Sequence, residues 1–76
     1  MNRIRRKALN DIKDQIEMLR CTLEQLAEEE EEYRNNMPEN LQGSERYEKA
    51  DEACDSLNSA LDSLDEAVEH IDEACA

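Results

Sequence analysis

Residues 50–76 carry nine carboxylates and no Lys or Arg. Their spacing is regular: Asp55, Asp62 and Glu69 recur every seven residues, as do Asp65 with Asp72 and Glu66 with Glu73. A second concentration stands earlier, where residues 28–32 are five consecutive glutamates, Glu28, Glu29, Glu31 and Glu32 among them. On a helix a seven-residue step is about 10.5 Å, so these acids would form rows of closely spaced negative charge along a rod. Such a rod offers a partner what a nucleic-acid backbone offers, and a basic groove built for phosphates would attract it. Solubility is the plainer use of an acidic surface. Helix stability does not ask for this pattern. Glu66, Glu69, Asp72 and Glu73 crowd a C-terminal end whose dipole disfavours anions, and Asp62–Glu66 and Glu69–Glu73 repel at i,i+4.

Other reactive residue types give less. His70 has Glu66 and Glu73 at i−4 and i+3, so a His and two carboxylates could share one face. A dinuclear carboxylate site would need Glu-x-x-His projecting inward, yet position 67 is Ala and His70 points outward, so no metal is expected. Cys54 and Cys75 lie 21 residues apart on one helix, about 31 Å, which is too far to bridge. They read as small core residues, and Cys21 as an exposed thiol. No Gly-rich phosphate loop, nucleophile–base pair or water-excluding pocket is present. The chain is not read as an enzyme, and neither a metal nor another cofactor is expected.

The elements that must position these residues are helices. The only Pro and the only Gly fall in the segment Asn35-Asn36-Met37-Pro38-Glu39-Asn40-Leu41-Gln42-Gly43-Ser44. Pro38 stops one helix, and Pro38 to Gln42 can form a short helical turn. Ser44 is a natural N-cap, with Glu45 and Glu48 favourable in the turn after it. This predicts helices over about 3–36 and 44–75 joined by a loop over 37–43, one hairpin domain spanning 1–76.

Both helices carry an unbroken 3,4 apolar repeat. The first runs through Leu9, Ile12, Ile16, Leu19, Leu23, Leu26, Glu30, Tyr33 and Met37, with Glu30 the one polar intruder. The second runs through Tyr47, Ala50, Cys54, Leu57, Leu61, Leu64, Val68, Ile71 and Cys75. This is a heptad a/d seam and predicts coiled-coil packing. At position g of the second helix, Ala53, Ala60, Ala67 and Ala74 would let another helix approach closely. Position e holds Arg6, Lys13, Arg20, Ala27 and Arg34 in the first helix and Asp51, Asn58, Asp65 and Asp72 in the second, so that basic meets acidic along that edge. Antiparallel helices set e against e, and a short loop demands antiparallel neighbours. Pivoting on the loop, Leu19 faces Leu61, Leu23 faces Leu57 and Tyr33 faces Tyr47. Tyr33, Tyr47 and Leu41 would close the loop end, leaving Met37 outside. Two helices alone make a thin core, so either a homodimeric four-helix bundle or docking onto another protein is expected.

Composition narrows the function. Seventy-six residues with 21 acids and 9 bases carry a net charge of −12. Direct nucleic-acid binding is disfavoured by repulsion. No apolar run approaches the 18 or so residues of a membrane span. The basic start is not followed by an apolar stretch, and three Cys is an odd number. A reduced intracellular compartment, the cytoplasm, is therefore expected.

The run EEEEEYRNNMPENLQGSERYEKADEA resembles small acidic helical-hairpin proteins of bacteria and their phages, a likeness of fold with no function attached. In size and charge the chain also resembles the DNA-mimicking anti-CRISPR proteins, with no shared motif. That second likeness implies an inhibitor of a basic nucleic-acid-binding protein, for instance a defence nuclease such as Cas9. The alternative is a structural or regulatory coiled-coil module that docks a partner helix through its apolar seam.

Overall fold

The computed structural model describes residues 1–76: helix α1 over Arg3–Asn35, one 3-10 turn over Glu39–Leu41, helix α2 over Glu45–Cys75, and no strand. The two helices pack antiparallel into a rod of 59 × 15 × 13 Å. No helix is long and apolar enough to cross a membrane.

Each helix starts on a side-chain cap. Asn2 accepts from the Arg5 N–H at 2.7 Å, and Ser44 accepts from the Tyr47 N–H at 3.3 Å. The first turn of α1 holds no acid, so Asn2 stands alone against an N-terminal end crowded with Arg. The first turn of α2 adds Glu45 and Glu48 to its cap. Between the helices, Pro38 sits at φ −58°, ψ 149° and turns the chain out of α1. The chain folds straight back: the Leu41 N–H donates to Pro38 O at 2.9 Å and the Ser44 N–H to Leu41 O at 3.0 Å.

The seam is narrower than the heptad pattern predicts. On α2 the a and d residues do face inward: Ala50, Cys54 and Leu61 are buried, and Tyr47, Leu57, Leu64, Val68 and Ile71 are half-buried. On α1 only the a positions follow, with Leu9, Ile16 and Leu23 half-buried. The d positions expected beside them are turned out: Ile12 is 46% exposed, Leu19 67%, Leu26 52% and Tyr33 48%. Position e takes their place, where Ala27 is buried and Lys13, Arg20 and Arg34 are half-buried. α1 is thus rotated about its axis from the a/d face toward a/e. Long basic side chains explain the rotation, because their aliphatic stems cover the seam while their heads reach the acids of α2.

Two further expectations are corrected. Leu19 does not pack under Leu61, since Leu19 is the most exposed of the four turned-out residues. The loop end is plugged by Met37, 8% exposed, while Leu41 stays outside at 39%. The cause is local: the Met37 N–H still donates to Arg34 O at 3.3 Å, so Met37 continues the last turn of α1 and keeps its a position.

Candidate functional site

Three ion pairs run along one edge of the hairpin, all between e positions. The Arg34 guanidinium meets Asp51 at 2.8 Å, Arg20 meets Asp65 at 2.6 Å with a second bond at 3.1 Å, and Lys13 Nζ meets Asp72 at 2.8 Å. The partners step 14 and then 7 residues back along α1, and 14 and 7 forward along α2, as an antiparallel heptad register requires. The rung between Arg34 and Arg20 is blank: Ala27 and Asn58 fall there, and a groove opens over them beside Glu24, Glu28, Glu31 and Asp62. The hydrogen bond to Asp72 raises the pKa of Lys13, helped by that carboxylate's charge, and the bond to Asp65 does the same for Arg20. Desolvation pulls the Arg34 value down most strongly, but the bond to Asp51 and the surrounding negative charge together exceed it, and the net shift is upward. These cations are held in their charged forms.

The carboxylates predicted to imitate phosphates divide into four groups. Asp65 and Asp72 are taken up by the ladder. Glu31 stands 3.8 Å from Arg34, and Glu73 stands 3.6 Å from His70. Asp55, Asp62, Glu66, Glu69 and Glu28 are exposed, form no ion pair, and occupy the b and f positions on the ladder side. Glu29 and Glu32, at g and c, turn to the opposite side and do not join that array. Two acids that the sequence reading passed over extend it: Glu17 and Glu24 precede Glu31 by 14 and 7 residues at the same heptad position, and Glu24 also accepts from Arg20 at 2.9 Å. Their signal was the seven-residue step, weaker to the eye than the glutamate run. The ladder side therefore shows a central line of ion pairs, with Glu17, Glu24 and Glu31 on one margin and Asp55, Asp62 and Glu69 on the other. Seven residues make about 10.5 Å between acids of one row.

The other side of the hairpin has the opposite character. Over residues 12–26 of α1, positions c, d and g hold Ile12, Gln15, Met18, Leu19, Thr22, Gln25 and Leu26, with no charge. Over residues 53–71 of α2, Ser56, Ser63 and His70 stand at c and Ala53, Ala60 and Ala67 at g, beside the d residues Leu57, Leu64 and Ile71. Charged residues make up 39% of the chain, yet none falls on this stretch. Toward the loop the charge returns, with Tyr33 in a cleft beside Arg46 and Lys49.

The cysteines are all free: Cys21 exposed, Cys54 buried, Cys75 half-buried. Burial raises the Cys54 thiol pKa, so it stays protonated and poorly nucleophilic. No group of His, Cys, Asp and Glu side chains is arranged to hold a metal ion. Compared with known proteins, the sequence matches no family model, no curated protein and no solved structure.

Proposed function

We propose that this protein is a non-enzymatic binding protein whose acidic side occupies a basic surface that otherwise receives nucleic acid. The carrying observation is the segregation of exposed carboxylates in parallel rows on one side of a straight rod. The ladder takes three acids of α2, Glu45 pairs with Lys49 and Glu73 lies against His70, while Asp55, Asp62, Glu66 and Glu69 face solvent without a cation of their own chain. A regular line of negative charge raises the encounter rate with a basic groove and competes for its phosphate sites. An inhibitor of a nucleic-acid-binding protein, acting inside a bacterial cell against a defence nuclease in the manner of anti-CRISPR proteins, is the concrete form. The test is a pull-down from host lysate at low and high salt, run beside the triple variant Asp62→Lys, Glu66→Lys and Glu69→Lys. A basic nucleic-acid-binding protein held at low salt, released at high salt and missed by the variant is the expected result. Retention by the helical triple variant would sink the reading.

A second reading, a structural or regulatory coiled-coil module, is favoured by the exposure of Ile12, Leu19 and Leu26. It predicts a salt-resistant partner that tolerates the charge reversals and is lost with Leu19→Asp.

A further inference from the structure

The uncharged side leaves the hairpin incomplete. Only five of 76 residues are buried, and no side chain is fully enclosed. The chain exposes 5880 Å². A folded monomer of its 8.8 kDa mass would expose about 4,800 Å². The excess, roughly 1,100 Å², is of the order that one partner contributes to a standard interface, about 800 Å². The exposed leucines and isoleucine of α1 lie on that same side, next to the half-covered d residues and the g alanines of α2. The face is about 25 Å long, two helices wide, and free of formal charge.

We infer that a second copy of this chain covers this face, the two hairpins closing into a four-helix bundle about a twofold axis. A twofold interface must be self-complementary. On a molecule of charge −12, the ladder side would meet its own copy acid against acid, whereas this face meets itself without like charges in opposition. The alanines at g allow close approach, and Ile12, Leu19 and Leu26 supply the knobs. The acidic rows then point outward on both sides of the dimer. This assignment does not rest on the acidic-side reading, and either can fail without the other.

The experiment is sedimentation equilibrium and light scattering on the full chain under reducing conditions, which exclude a Cys21 disulfide. Two chains per particle at micromolar concentration are expected, with a melting temperature that rises with protein concentration. Leu19→Glu with Leu26→Glu should raise the dimer dissociation constant at least about a hundredfold. The triple reversal Asp62→Lys, Glu66→Lys and Glu69→Lys should leave it within about threefold. If the double variant does not fold, the concentration dependence of the unaltered protein decides. A mass of one chain with a concentration-independent melting temperature overturns the dimer. A dimer that survives the double variant overturns the face, and a hairpin that stays monomeric until a foreign helix binds overturns the choice of occupant.

Discussion

Of the buried residues of the hairpin, Ala27, Met37, Ala50 and Cys54 lie on the loop side, and Leu61 stands at the midpoint of α2, where the tight half ends. Toward the chain ends the seam continues through Leu9, Ile16, Val68 and Ile71, none more than half covered. The difference is one of size and tethering. Near the loop, small residues at 50 and 54 let the backbones come together, and Met37 seals the end. Farther out the seam residues are only half covered, and Lys13 with Asp72 closes the edge as an exposed pair that contributes little. A continuous heptad repeat thus produces a zip that is tight at one end and open at the other.

The sharpest way to break this comparison is to put a charge into each half. Leu61→Asp should cost about 3 kcal/mol or more, because the carboxylate is buried without a partner. Val68→Asp, at the same heptad position in the open half, should cost about half as much. Equal losses in chemical denaturation at one protein concentration would mean that the halves are alike. A smaller effect separates the two caps. Ser44→Ala removes a hydroxyl at the closed end and should cost about 1 kcal/mol. Asn2→Ala should cost about 0.5 kcal/mol or less, seen by circular dichroism as fraying alone. The smallest effect is alkaline. The folded pKa of Cys54 is raised by burial, so its contribution is complete below the ordinary thiol value and is lost as pH rises through the folded one. The melting temperature should therefore decline above about pH 8.5, and Cys54→Ala should flatten that slope. An unchanged slope would place the titrating group elsewhere.

Much of this architecture can be read from residues in order. Pro38 and Ser44 mark the break and the restart, and the e positions announce which edges meet. The rotation of α1 cannot be read the same way. A 3,4 repeat says that positions 9, 12, 16 and 19 share a stripe, but not how that stripe is turned toward its neighbour. The turn is decided by stems of Lys and Arg, which polarity alone assigns to solvent. Met37 is hard to place from sequence for a related reason: its neighbours Asn36 and Pro38 belong to the loop, while its own amide still belongs to the helix. Of the acidic array, the rows on α2 were legible from spacing. The loss of Asp65 and Asp72 to the ladder required knowing which cations reach them.

The blank rung at Ala27 and Asn58 has a further consequence. Suppose α2 slid by one heptad along α1. Moved one way, Arg20 would meet Asp72, while Arg34 would face Asn58 and Ala27 would face Asp65. Moved the other way, Lys13 would meet Asp65 and Arg6 would meet Asp72, while Arg20 would face Asn58 and Arg34 would face Ser44. The first slip keeps one pair and the second keeps two, against three in register. A ladder with charges on all four rungs would keep three in the first slip and four in the second. In either direction the missing tooth makes a misaligned hairpin forfeit one pair more, so an absence of charge in the middle of the edge acts as its alignment key.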